Sequence, residues 1–308
     1  MDQATRLRNL VSLECKRQGR ERQERGNQCP DKGFRPRVFA VSSGKGGVGK
    51  TNVVGNLAVA CQRMGKNVLV LDADLGLANL DIILGIHPSH NISETIRGEL
   101  ELSKVIVEGP EGVKVIPAAS GVQELAHLGE GQKANLLSEF DALNKVFDLL
   151  LIDTGAGISS NVIFFNLASE VRMIVVSPEP TSITDAYALI KVLFLNHGIK
   201  DFLLLSNMVK DDHQGRMVYE NLSRVVMKFL RGVSIDYAGC IPWDGFLQKG
   251  VSRREPVVCC YPDSPSSRSF STLAGFLLGY GEDKPMDGNI KFFFRRLMDV
   301  AGDESRAH

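Results

Sequence analysis

Residues 42–52 read SSGKGGVGKTN, and this stretch decides the fold. Gly44, Lys45, Gly46, Gly47, Val48, Gly49, Lys50 and Thr51 fit the pattern G-x-x-x-x-G-K-[ST]. The run before it, RVFAVSS, is apolar and β-rich. From Lys50 onward Val53, Leu57, Ala60, Cys61 and Met64 recur at helical spacing. A strand, a glycine-rich turn and a helix in that order make a phosphate-binding loop. The glycines let backbone N–H groups wrap phosphates, the helix N-terminus adds its dipole, Lys50 reaches the β and γ oxygens, and the Thr51 hydroxyl can ligate Mg²⁺. Asn52 continues the same nucleotide-binding stretch. One lysine suffices for this chemistry, so Lys45 is surplus to it.

Outward from the loop, apolar runs alternate with helix-period segments. NVLVLDAD, VKVIPAAS, FDLLLIDTG, EVRMIVVSPEP, DFLLLSNMV and VSIDYAGCIP are separated by segments such as AYALIKVLFLNHG and GRMVYENLSRVVMKFLRG. Runs that are apolar throughout, rather than alternating, belong to strands buried on both faces. The pattern predicts an α/β fold, a doubly wound, mostly parallel sheet with helices on both faces. No repeat of about 20–50 residues interrupts it, which argues against a solenoid.

Three acids fall at predicted strand ends. Asp72 and Asp74 in DADLGLANLD are two apart, on one side of an extended chain, and either could meet the metal or the attacking water. Asp153 ends LLLIDTGAG and suits an acid that holds Mg²⁺ through water. The carboxyl ends of strands are where open α/β sheets bind ligands.

Composition sets the limits. The chain has 308 residues, 44% hydrophobic and 23% charged, enough for a substantial core. Lys plus Arg and Asp plus Glu are 36 each, so no overall field holds nucleic acid non-specifically. Six cysteines without a CxxC pair fit a reducing cytosol, and they make a poor ligand set for an iron–sulfur carrier. The N-terminus lacks the apolar core of a signal peptide, and no run of about 18 apolar residues occurs. These features predict a protein neither secreted nor membrane-spanning.

The organisation expected is an N-terminal helical arm and linker over 1–36, a P-loop ATPase domain over 37–280, and a linker plus amphipathic helix over 281–308. In the last segment, IKFFFRRLMDVAG, helical spacing puts Ile290, Phe293, Phe294, Leu297 and Met298 on one face with Lys291, Arg295 and Arg296 beside it. A basic amphipathic helix of this kind suits a membrane surface. The tether before it, and three consecutive phenylalanines too bulky for one core groove, favour that reading over a docked helix.

The octapeptide GKGGVGKT resembles the deviant Walker A of the MinD/ParA ATPases, over roughly residues 36–280. The resemblance implies that Lys45 reaches across an ATP-dependent homodimer to the partner's phosphates. Lys50 and Thr51 keep the usual loop roles, Asp74 positions or activates the hydrolytic water, and Asp72 and Asp153 support Mg²⁺. Asn207 and the backbone around Pro242 hold adenine, and the implied activity is slow ATP hydrolysis acting as a switch. DQATRLRNLV, LDADLGLANLDIILG, IDTGAGISSNV and PEPTSITDAYALIK are similar to the flagellar-number branch of that family, FlhG, also called FleN or YlxH. That branch implies an arm whose Asp2, Gln3, Ala4, Leu7 and Arg8 stimulate FlhF, a GTPase of the signal-recognition type. It also implies reversible attachment to the cytoplasmic face of the membrane, and possible contacts with basal-body and transcriptional regulators. A ParA-like chromosome-partitioning ATPase and a MinD-like regulator of the division site are the alternatives. Charge balance and the aromatic tail argue against the first.

Overall fold

The computed structural model describes residues 36–74, 79–117, 130–143, 146–280, 290, 293–296 and 298. Eight strands form one sheet: β1 (Arg37–Ser43), β2 (Val68–Ala73), β3 (Val107–Glu108), β4 (Lys114–Pro117), β5 (Leu149–Ala156), β6 (Val171–Val176), β7 (Asp201–Val209) and β8 (Ser234–Pro242). Their order is β3-β4-β2-β5-β1-β6-β7-β8. All pairs are parallel except the two-residue edge strand β3 against β4. The doubly wound sheet expected from the apolar runs is therefore present.

The helices are α1 (Lys50–Arg63), α2 (Leu80–Leu84), α3 (Ile92–Ile96), α4 (Leu102–Val105), α5 (Glu130–Leu143), α6 (Ser160–Ala168), α7 (Pro180–His197), α8 (Asp212–Phe229), α9 (Gly245–Arg253), α10 (Val257–Cys260) and α11 (Pro265–Gly279). Alternate residues of each central strand feed opposite layers. Phe39, Val68, Val70 and Leu151 pack under α1 and α11, while Val38, Leu69, Leu71 and Ile152 face α5 and α6. Beyond β6, Ile174, Val176, Phe202 and Leu204 meet α7 and α8. Two-sided burial is why these strands read as unbroken apolar runs.

The C-terminal segment corrects one expectation. Ile290, Phe293, Phe294 and Met298 are buried in the layer with Phe140 and Phe165, not presented to the exterior. Phe294 stacks on Phe140, and Phe293 lies 6.5 Å from Phe165, centroid to centroid. One groove does absorb two of the consecutive phenylalanines. The long α5 and the aromatic pair Phe164–Phe165 on α6 leave a trough that flat rings fill face to face. Arg295 stays exposed and Arg296 half-buried at its edge. Leu297, the linker at 281–289, and the arm residues Asp2, Gln3, Ala4, Leu7 and Arg8 lie outside the described residues.

Candidate functional site: a phosphate-binding loop with a displaced second lysine

The site lies at the carboxyl ends of the central strands. β1 runs between β5 and β6, so the loop after β1 opens where the sheet's connections diverge. Two glycines are fixed by geometry. At Gly44 a Cβ would fall 2.1 Å from the Asp185 backbone, so the loop lies directly against α7. Gly49, the N-cap of α1, has φ 82, and a Cβ there would come 2.5 Å from Asn207 Nδ2.

Beneath the loop is a buried polar scaffold. The Thr154 hydroxyl lies 3.1 Å from the Val41 carbonyl and 2.9 Å from Ser42 Oγ, and Asn166 Nδ2 donates to Ser42 Oγ at 2.8 Å. Sequence reasoning missed these three residues, which sit inside apolar runs and carry no local signal.

Lys50 is buried and its Nζ lies 2.6 Å from Asp153 Oδ1 and 4.0 Å from Asp74 Oδ2. The sheet register makes Asp72 and Asp153 direct partners on β2 and β5, and Asp74 N–H donates to Asp72 Oδ1 at 3.3 Å. The structure thus gathers Lys50, Thr51, Asp72, Asp74 and Asp153 into one cluster.

Its electrostatics are strained. Burial, reinforced by the neighbouring Asp153 charge, pushes Asp72 up to about 7. Burial also raises Asp153, and the Lys50 ammonium opposes it. Asp153 Oδ2 is buried with no hydrogen-bond partner. Two adjacent carboxylates, one of them with an orphaned oxygen, and the Thr51 hydroxyl are an all-oxygen set of the kind a hydrated Mg²⁺ takes. The residues therefore fit the metal: Thr51, Asp72 and Asp153 would hold it, and the ion would supply positive charge against phosphate oxygens.

A pH effect follows from Asp72. Its pKa in the fold lies above the ordinary carboxylate value, so the fold binds a proton that the unfolded chain has already lost. This contribution is fully present below about pH 4 and declines as pH rises to about 7. In metal-free protein, Asp72→Asn is expected to flatten the pH dependence of Tm between about pH 4 and pH 7 and to raise Tm at the upper end. Parallel wild-type and variant curves would refute the assignment.

Lys45 is elsewhere. Its Nζ pairs with Glu179 at 2.5 Å and bonds Thr181 Oγ1 at 3.0 Å, at the start of α7. Lys45 and Glu179 are 38% and 63% exposed, and ion pairs so wet contribute about 0–1 kcal/mol. The second lysine is held loosely outside its own loop. Glu179 and Thr181 belong to PEPTSITDAYALIK, where only the structure shows their contact with the loop.

Beside α1 lies a cavity, walled by Gly49, Val53, Asn207 and Met208 on one side and Pro242, Trp243, Asp244, Leu247 and Phe270 on the other. Asn207 Nδ2 donates to the Val48 carbonyl at 2.7 Å, tying β7 to the loop. Met208 has φ 59, a left-handed conformation rare outside glycine and concentrated at functional sites. Asn207 and Pro242, expected at the base, meet here.

A loop of this form between a central strand and a helix, with acids at the neighbouring strand ends, defines a P-loop nucleoside triphosphatase fold. The sequence profile of the ParA family, described as NUBPL iron-transfer P-loop NTPase, matches residues 36–278, and the chain belongs to the ParA/MinD family of P-loop NTPases. It is 42% identical over 261 residues to the antiactivator FleN of Pseudomonas aeruginosa, covering 85% of this chain and 93% of that one. It is 34% identical over 306 residues to the flagellum site-determining protein YlxH of Helicobacter pylori, covering 98% and 99%. Among solved structures it resembles MinD of the Aquifex aeolicus MinC:MinD complex, with 26% identity and a TM-score of 0.65 over 82% of this chain and 99% of that one. MinD from Pyrococcus horikoshii, solved with Mg-ADP, superposes with 25% identity and a TM-score of 0.63 over 81% and 98%.

Proposed function

We propose that this protein is a slow regulatory ATPase that controls flagellar number or placement. It dimerises on ATP through Lys45 and uses its C-terminal helix on the cytoplasmic face of the membrane. The observation that carries the reading is the division of labour between the lysines. Lys50 sits buried in its own loop, whereas Lys45 points away and is held by a weak, wet pair. Exchanging Glu179 for a partner's phosphate costs little, so the bridge can form only when nucleotide is present. The similarity to FleN and YlxH supports the flagellar role, and the similarity to MinD supports a nucleotide-dependent dimer.

Within the reaction Lys50 leaves Asp153 for the β and γ oxygens, and Asp74, 4.0 Å from Lys50, orients or deprotonates water. Mg²⁺, when bound, neutralises charge on the phosphates. Loss of the γ-phosphate removes what Lys45 bridges, and the dimer separates.

The tail gives the switch its output. In the single chain its apolar face is occupied by Phe140 and Phe165, which withholds it from lipid. One short helix binds a bilayer weakly, with a constant of about 10⁴ M⁻¹ by analogy with a single myristoyl chain. Two tails on one dimer gain avidity of about 10²- to 10⁴-fold. Dimerisation therefore favours undocking and membrane attachment together. The arm, with Asp2, Gln3, Ala4, Leu7 and Arg8, acts separately on an FlhF-type GTPase.

Size-exclusion chromatography with ATP tests the switch. Wild type is expected to run as a dimer and Lys45→Ala as a monomer that still binds ATP. A Lys45→Ala dimer would remove the crossing. Protein lacking residues 1–13 is expected to keep the dimer in this assay and, in a separate GTP-hydrolysis assay, to lose stimulation of the partner GTPase; retained stimulation would sink the arm's role.

A further inference from the structure

The far wall of the base cavity is not held by the phosphate loop. It is built from the start of α9, which carries Leu247, and from α11, which carries Phe270. One buried carboxylate joins them. Asp244 Oδ1 accepts the Phe246 N–H at 2.9 Å, capping α9. Its Oδ2 accepts both the Ser266 N–H at 3.1 Å and the Ser266 hydroxyl at 2.7 Å, in the first turn of α11. Asp244 is 9% exposed, so these three bonds replace nearly all of its water.

The surrounding bonds leave the strut little slack. Trp243 N–H donates to the Val209 carbonyl at 2.7 Å, which ties the residue before Asp244 to β7. Ser264 Oγ caps α11 by accepting the Ser267 N–H at 3.2 Å, and the Ser267 hydroxyl donates to the Tyr261 carbonyl at 2.7 Å. Asp244 thus stands between two helix N-termini, whose dipoles both favour its negative charge. Burial alone would raise its carboxyl, but the bonds from Ser266 and Phe246 outweigh it and hold the group below the usual carboxylate range. The group stays ionised at neutral pH.

We infer that Asp244 is the positioning residue of the base site: by bracing α9 against α11 it fixes the spacing of Leu247 and Phe270 and so sets the affinity for the nucleoside part of the ligand. Asp244 also lines the cavity itself, and its hydrogen bonds run to α9 and α11 rather than to the phosphate loop, so its contribution is confined to the base. The inference rests on the nucleotide reading above. A site loose by 1 Å fails although every contacting side chain is present. Asparagine can still accept from Phe246, but its amide nitrogen cannot accept from Ser266, so the α11 half of the strut is lost.

The test uses the full-length chain, with dissociation constants for ADP and for inorganic tripolyphosphate measured by calorimetry and by fluorescence of Trp243. Trp243 is the chain's one tryptophan and, at 63% exposure, sits at the cavity mouth. Asp244→Asn is expected to weaken ADP at least about tenfold while tripolyphosphate binding stays within about twofold, and Ser266→Ala to give an intermediate loss. Intact tripolyphosphate binding also shows that the variant has folded. Equal losses for both ligands would make Asp244 a general stabiliser and overturn the inference, as would unchanged ADP affinity. If wild type binds tripolyphosphate but gains nothing from the nucleoside of ADP, the nucleotide reading itself has failed, and the inference falls with it.

Discussion

Asp74→Ala is expected to bind ATP with wild-type affinity, to hydrolyse it on the order of 10²-fold or more slowly, and to accumulate as a dimer. Asp74 is the acid of the cluster that is neither committed to Lys50 nor sealed off. Its side chain is 27% exposed and 4.0 Å from the lysine, whereas Asp153 is 1% exposed and bonded to Lys50 at 2.6 Å. Water can reach Asp74 and is denied to Asp153. Losing the first removes a base, while losing the second leaves a buried ammonium without its partner, which is destabilising. Single-turnover hydrolysis alongside chromatography with ATP checks the claim. Turnover near the wild-type rate would transfer the catalytic role from Asp74 to another group.

The second large effect concerns the docked tail. Deletion from Asn289 is expected to abolish ATP-dependent sedimentation with anionic liposomes and also to lower Tm, because the same face that would meet lipid now fills the core. Phe140→Ala separates the two roles. It leaves the tail's sequence intact and removes the ring on which Phe294 stacks. Burying a phenylalanine is worth about 1.5–3 kcal/mol, so losing this contact shifts the docked population by about 10- to 100-fold. The variant is therefore expected to sediment with liposomes without ATP. Sedimentation that remains strictly ATP-dependent in Phe140→Ala would show that the trough does not control the tail, and sedimentation of the truncated chain would show that the tail is not the anchor.

Much of the site was legible because its chemistry is local. A phosphate loop is made from consecutive backbone groups, so Gly44 to Thr51 declare it without help from the rest of the chain. Asp72, Asp74 and Asp153 were legible for a related reason. Each follows the apolar stretch of its strand near the carboxyl end, and parallel strands deliver those ends to one edge. What stayed hidden depends on contacts between distant segments. Lys45 meets Glu179 across 134 positions, and Asn166 meets Ser42 across 124. Asp244 was not singled out, although its sequence carries half a signal. An aspartate before a glycine-led helix is an N-cap candidate, but nothing in PWDG shows that its second oxygen holds a helix starting at Pro265.

The tail marks the boundary most clearly. Amphipathic spacing determined that Ile290, Phe293, Phe294 and Met298 share a face, and that this face had to be covered. It did not determine by what. Lipid, a partner and the chain's own core all present apolar surface, and hydrophobic burial is non-directional, so the sequence pattern is the same for each. Shape decided it. Phe140 and Phe165, supplied by two helices far upstream, form a trough with the width of a ring, and the rings of the tail fill it. The sequence by itself determined a nucleotide loop, its acids, and an apolar face in need of cover. Tertiary structure decided where the second lysine rests, which carboxylate braces the base wall, and what covers that face.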